Sequence, residues 1–337
     1  MIQFLDLSYN HLPSIQTGNF KKMPKLLALH LDHNSIIKIE PDSFQQLWDL
    51  EKIFLTKNGL SSIRTETFKD LPSLEKLFLD DNLIKELEEK SFQHLLSLKE
   101  LHLQYNLIKS INERAFYEIP SIRHLNLSYN LLQDLSRYGF YGLETLETID
   151  VSFNDIRVVD NRVFDNLKWL VHLKLNDNNI CEIAANAFKD ATSLRRLDLN
   201  NNRIYRLQES AFTNIQRSVD RFDVSGENVS LTIAFRHLSP LCPPGNPLNC
   251  DCETKWLRNW VSSQDRGATR DEPRCYFPKS LSGNPLRQLR SSRFTCATHG
   301  TNNLISDACQ SLPLKTPAQL HMTAVTDAGI DCSGWWK

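Results

Sequence analysis

Two sets of side chains in this 337-residue chain have types and spacings that invite chemistry. The first is cysteine: Cys181, Cys242, Cys250, Cys252, Cys275, Cys296, Cys309 and Cys332, all but Cys181 lying beyond residue 240. Thiolates gathered in one region either hold zinc or oxidise to bridges that persist in oxidising compartments. The leading pair, Cys250 and Cys252, reads C-x-C, tighter than the usual zinc spacing, and no paired histidines accompany it, so disulfides are the expected chemistry. The second set is Phe54 and Phe78, flanked by Lys52 and Lys76 and bracketed by His30 and His102. Rings set among cations are suited to recognition rather than bond-making.

Reaction chemistry has no comparable signal. The chain lacks H-E-x-x-H, G-x-S-x-G and any phosphate-binding glycine loop. Its 10 histidines are scattered, and 11 glycines are few for nucleotide cradles. The expectation is a protein that is not an enzyme and uses no cofactor and no metal. With 39 basic and 40 acidic residues the net charge is −1, which offers no field for nucleic acid or an anionic membrane. No apolar run reaches the roughly 18 residues of a membrane span. Two N-x-S sequons, at Asn126 and Asn228, are expected glycan sites if the chain is secreted.

What positions these residues is a repeat. An L-x-L-x-x-N phrase ends at Asn10, Asn34, Asn58, Asn82, Asn106, Asn130, Asn154, Asn178 and Asn202, every step being 24 residues. Phenylalanine keeps the same step from Phe20 to Phe212, and an aliphatic column keeps it from Leu12 to Ile204. Alternate residues of a strand point to opposite sides, so the leucines of L-x-L go in and the x residues go out. One such coil cannot bury its apolar side alone, whereas stacked coils can. The phenylalanines are then expected to stack as an internal spine. The asparagine amides are expected to satisfy backbone groups where the chain turns away from the strand.

These columns resemble those of leucine-rich repeat proteins, of the 24-residue kind common outside cells. The resemblance implies an α/β leucine-rich repeat solenoid, a horseshoe with a parallel β-sheet on its concave face and a disulfide-stapled C-terminal cap. It divides the chain into nine repeats over residues 2–217, a degenerate last repeat over 218–244, a cysteine-rich cap over 245–296 and a tail or truncated linker over 297–337. The stretch GNPLNCDCETKWLRNWVSSQ, residues 245–264, is similar to the family's cap: Trp256, Leu257, Trp260 and Val261 share a helical face, with Asp251 as its cap and Glu253 in its first turn. By that resemblance Cys250 pairs with Cys275, and Cys252 with Cys296. Cys181 reads as a lone thiol, and the pairing of Cys242, Cys309 and Cys332 stays open. Phe212 to Phe222 is ten residues where Phe188 to Leu197 is nine, and the phrase FDVSGENVS, residues 222–230, has no asparagine in register, so the degenerate repeat is expected to carry an extra residue in its convex loop. The opening MIQFLDL enters directly on a repeat strand, so the chain reads as a fragment that lacks a signal peptide and the first turns.

Function is expected on the outward positions, because the columns are core. The middle x of L-x-L runs Asp6, His30, Phe54, Phe78, His102, Asn126, Asp150, Lys174 and Asp198. Phe54 and Phe78 fall on adjacent strands, where neither ring reaches the core, so truncating them is expected to leave stability nearly unchanged. A second outward set, Tyr9, Tyr105, Tyr129 and Phe153, lies one residue before the asparagines. The resemblance implies an extracellular protein-binding module, the ectodomain of a receptor, adhesion or guidance protein, with a protein ligand on the concave face and self-association open. The alternatives are a matrix structural protein, or the repeat region of a larger secreted enzyme of the peroxidasin-like kind.

Overall fold

The structure, a computed structural model, describes residues 2–65, 67–204, 207–212, 215, 232–234, 248–263 and 273–295. Each L-x-L phrase forms a three-residue strand, from Phe4–Asp6 and Ala28–His30 through Lys52–Phe54, Lys76–Phe78, Glu100–His102 and His124–Asn126 to Thr148–Asp150, His172–Lys174 and Arg196–Asp198. These strands lie side by side in chain order in one parallel sheet. Their register repeats without slip: Leu5 pairs with Leu29, Leu29 with Ile53, Ile53 with Leu77, Leu77 with Leu101. Identical register puts like positions of successive coils in straight columns, and we number the coils one to nine by their asparagines.

The apolar columns close the interior. Leu29, Ile53, Leu77, Leu101, Ile149, Leu173 and Leu197 have no exposed surface, and Phe92, Phe116, Phe164 and Phe188 are equally enclosed. Each such side chain contributes about 1.5–3 kcal/mol by leaving water. The phenylalanines form the expected spine, with centroids 6.0 Å apart for Phe20 and Phe44 and 5.8 Å for Phe164 and Phe188. Three short pairings, such as Ser14–Ile15 with Lys38–Ile39, brace the return path. Among the described residues the helical part of the α/β architecture is confined to residues 209–212 and 215, the helix Lys255–Ser263 and three 3-10 turns.

The asparagines do more than satisfy their own bend. Asn130 Nδ2 donates to Leu127 O in its own coil at 3.0 Å and to Leu103 O in the preceding coil at 2.9 Å, while its Oδ1 accepts from Ile108 N at 3.0 Å. The same set recurs from Asn34 to Asn202. Each amide therefore stitches two coils, which fixes the 24-residue step. The residue before each asparagine adopts a left-handed backbone, from Tyr9 at φ 55° through Tyr105 at 56° and Phe153 at 54° to Asn201 at 53°. That conformation costs a bulky residue on the order of 1–2 kcal/mol. It holds the turn in which the asparagine reaches these partners.

The degenerate repeat departs from expectation. The tenth strand of the sheet is Thr232–Ala234, with Thr232 opposite Arg196, well past Phe222. FDVSGENVS itself lies outside the described residues.

The cap covers the open end of the spine. Trp256 stacks on Phe212 at 5.4 Å and donates its indole N–H to Leu207 O at 2.9 Å. Leu257 and Val261 are fully buried beside it. Asp251 Oδ1 accepts from the N–H groups of Glu253 and Thr254 at 3.0 and 3.3 Å, so it caps the turn that leads into the helix, and Glu253 precedes the first turn instead of lying in it. Cys250 is bonded to Cys275, as the resemblance implied. That bridge takes two of the four sulfurs a zinc site would need. Cys252 is also disulfide-bonded, and the expected partner Cys296 lies outside the described residues. Cys181 is not a lone thiol: it too is disulfide-bonded, to a cysteine outside the described residues. Sequence spacing missed this because Cys181 has no cysteine neighbour within its own repeats.

Candidate functional site

The outward column of the sheet brings the sequence candidates together. His30, Phe54, Phe78 and His102 stack ring on ring, with centroids 4.1, 4.6 and 4.5 Å apart and planes within 13° of parallel. Backbone pairing sets this directly, since His30 opposes Phe54, Phe54 opposes Phe78 and Phe78 opposes His102. The sequence placed the histidines at either side of the phenylalanines. The structure makes all four one continuous ladder, and Phe54 and Phe78 are half-buried by their neighbours instead of freely exposed.

Charge flanks the ladder in rows. On the N-terminal side of the strands Lys52 opposes Lys76, and Lys76 Nζ reaches Glu100 at 2.8 Å. Lys52 has no ion pair among the described residues. Burial opposes ionisation of Glu100, but the Lys76 ammonium and His102 prevail and hold its carboxyl below the usual range. On the other side lie Asp32, 3.6 Å from His30 Nδ1, and Asp80, which accepts from Thr56 Oγ1 at 2.9 Å. Burial pushes the Asp80 carboxyl up.

A second ladder continues the aromatic surface. Tyr105, Tyr129 and Phe153, at the strand exits of coils five to seven, stack at 4.3 and 4.2 Å. Tyr105 is 39% exposed and Leu107 beside it 38%, whereas Tyr129 and Phe153, like the phenylalanine pair, are half-buried. Burial, with Tyr105 alongside, raises the Tyr129 phenol well above its usual pKa. The left-handed turn that points these rings outward was not readable from their residue types.

Beyond coil six the same column turns polar. Lys174 Nζ donates to Asp150 Oδ2 at 2.8 Å, and Asp198 receives His172 Nε2 at 2.9 Å and Arg196 Nε at 3.0 Å. Burial disfavours the Asp198 anion, yet those two bonds outweigh it and keep the carboxyl below its ordinary pKa. Sequence reading left this cluster unremarked, although the opposite charges of Asp150 and Lys174 one repeat apart, and of Arg196 and Asp198 two residues apart, could have signalled it. Asn126 sits on the concave face between His102 and Asp150. Its Oδ1 accepts from Ser128 N and Oγ at 3.0 and 2.8 Å. The same bonding joins Asp6 to Ser8 and Asp150 to Ser152, so here it is a feature of the coil. Asn228 lies outside the described residues.

Among the described residues no three His, Cys, Asp or Glu side chains converge as a metal site, and no helix is long and apolar enough to cross a membrane.

Family comparisons agree with this geometry. A sequence model described as "Leucine rich repeat" matches residues 2–60 and 49–108, and one described as "BspA type Leucine rich repeat region (6 copies)" matches residues 85–219. The chain is a leucine-rich repeat protein. Vasorin of Xenopus tropicalis is 44% identical over 52 residues, 15% of this chain and 8% of that protein. Immunoglobulin superfamily member 10 of Homo sapiens is 33% identical over 63 residues, 16% of this chain and 2% of that protein. Adhesion G protein-coupled receptor A3 of Mus musculus is 37% identical over 49 residues, 14% and 4% respectively. The matched stretches thus span less than a tenth of each relative's length. The crystal structure of human 5T4 (Wnt-activated inhibitory factor 1, Trophoblast glycoprotein) superposes with a TM-score of 0.59 at 19% identity, over 87% of this chain and 95% of that one. This likeness is one of fold.

Proposed function

We propose that this leucine-rich repeat protein is a non-enzymatic, extracellular binding module. Its protein ligand docks on the concave face around Phe54 and Phe78, with Lys52, Lys76, His30 and His102 about them. The observation that carries the reading is the four-ring ladder on the outward column, where no core requires aromatic residues. Clustered aromatic side chains with polar surroundings are the usual composition of an interface centre. The disulfide-stapled cap suits an oxidising compartment. The names of two similar proteins, an adhesion receptor and a trophoblast glycoprotein, point the same way. The cap, on this reading, runs over residues 245–296 and closes a solenoid of nine repeats over 2–217, with 218–244 as its degenerate last repeat and 297–337 as a tail. Asn126 and Asn228 are the proposed glycan sites, and a glycan at Asn126 would confine a concave ligand to the coils before it.

The test is a binding screen of the intact chain against a panel of secreted and cell-surface proteins, run beside Phe54→Ala and Phe78→Ala. A partner lost with both variants and kept by Trp169→Ala, a distant exposed position, supports the reading; partners indifferent to both refute it. The exposure of Tyr105, at the start of the Tyr105–Tyr129–Phe153 ladder, favours a second docking edge, tested in the same screen by Tyr105→Ala.

A further inference from the structure

The ladder's geometry restricts what it can bind. Four rings stacked 4.1–4.6 Å apart cover one another's faces. Phe54 and Phe78 are covered on both faces, and at the ends of the ladder the same column continues with Asp6 next to His30 and Asn126 next to His102. Phe54 and Phe78 therefore present only their edges to the concave space. A ring's face is its electron-rich side and its edge is electron-poor. Face-on partners, such as a sugar ring, a quaternary ammonium or a nucleobase, therefore have no phenylalanine face to lie on. Edges instead accept aliphatic groups and carbonyl oxygens.

The flanking charges add a direction. Positions two apart on a strand are separated by about 7 Å along it, so a basic and an acidic row run parallel to the rings at that distance on either side. The basic row is Lys52 and Lys76; Glu100 neutralises Lys76, which leaves Lys52 as the cation without an ion pair among the described residues. The acidic side holds Asp32, Asp80 and the exposed Asp81, with Lys57 the one lysine or arginine among them.

Resting on the concave-face reading above, we infer that the ligand is a polypeptide segment laid along the ring row. Its aliphatic side chains meet the ring edges, a carboxylate faces Lys52, and a cation faces Asp80 and Asp81. Glycans and methylated amines are not its ligands.

The test pans a random peptide library displayed on phage against the intact chain, and measures synthetic copies of the enriched peptides by fluorescence anisotropy. A glycan array carrying neutral and sulfated oligosaccharides is probed in parallel. The expected peptides are rich in Leu, Ile, Val or Pro with acidic and basic residues on opposite sides. They should weaken about tenfold or more on Phe54→Ala and on Lys52→Glu, a loss typical of removing one interface contact or charge pair. Panning on the double variant Lys52→Glu, Asp81→Lys should return the opposite charge order. Both substitutions are at half-buried or exposed sites, and unfolding curves check that the variants remain folded. Peptides lost on Phe54→Ala but lacking charge order, or binding through their own aromatic rings, overturn this inference and leave the concave site standing. Glycan binding lost on Phe54→Ala does the same. Peptides indifferent to Phe54→Ala and Phe78→Ala, or no enrichment at all, refute the concave site and the inference with it.

Discussion

Removing Phe78 tests whether the ladder is a physical unit. Its ring contacts Phe54 at 4.6 Å and His102 at 4.5 Å, both nearly parallel. A ring pair contributes about 0.5–1.5 kcal/mol beyond area burial, so two pairs predict that Phe78→Ala costs about 1–3 kcal/mol. His30 has one ring partner in the ladder, Phe54 at 4.1 Å, so His30→Ala should cost about half as much. The expectation from sequence, that truncation leaves stability nearly unchanged, held only for an exposed ring, and the stack removes that premise. Urea unfolding followed by circular dichroism measures the loss, with the slope checked for constancy because repeat arrays can lose cooperativity. A double-mutant cycle on Phe54→Ala and Phe78→Ala should give a coupling of about 0.5–1.5 kcal/mol. If Phe78→Ala costs no more than an ordinary surface change, about 0.5 kcal/mol, and the cycle is additive, the rings do not act together and their faces are not closed to ligands.

Asn130→Ala should destabilise far more than Asn10→Ala, because Asn130 serves four backbone groups across two coils, Ile108 N, Leu103 O, Leu127 O and Ser128 O, whereas Asn10 bonds Leu7 O and Ser8 O in an exposed turn of its own coil. The loss at Asn130 is expected to reach about 3 kcal/mol or more, each stranded buried group costing about 1–3, and equal unfolding midpoints for the two variants would contradict the stitching role. Asp198 has a folded pKa below its ordinary value of 3.8, so its anion stabilises the fold above that pH, and the contribution vanishes as pH falls through the folded pKa. The stability gap between the parent chain and Asp198→Asn should therefore be full at pH 7 and shrink on acidification below about 4; a gap independent of pH would show that the carboxylate is not the stabilising form. Breaking the Cys250–Cys275 bridge with a Cys275→Ser, Cys250→Ser pair should cost about 2–5 kcal/mol in thermal unfolding. Peptide mapping without reduction should join Cys252 to Cys296, and any other partner for Cys252 would show that the resemblance misassigns the cap.

The sequence by itself determined the architecture wherever a column repeats. A strict step from Asn10 to Asn202 leaves one way to stack coils, since slipping one residue would turn core positions such as Ile53 outward and Phe54 inward. It therefore also determined which residues share the concave face, and Phe54, Phe78, Lys52, Lys76, His30 and His102 do lie together there. Cys250 and Cys275 came from the likeness of the cap. Tertiary structure alone decided how those neighbours touch. Spacing gives the separation of two backbones but not their ring planes, so the merging of His30 and His102 into the stack, and with it the closing of both faces of Phe54 and Phe78, needed coordinates. Likewise the asparagine's reach into the preceding coil depends on the left-handed residue before it, a conformation that Tyr105 or Phe153 does not advertise. Where the columns stop the period carried no information, as at the strand Thr232–Ala234, which pairs with Arg196–Asp198 out of the 24-residue step, and it was silent on the disulfide of Cys181, a residue type that no column repeats.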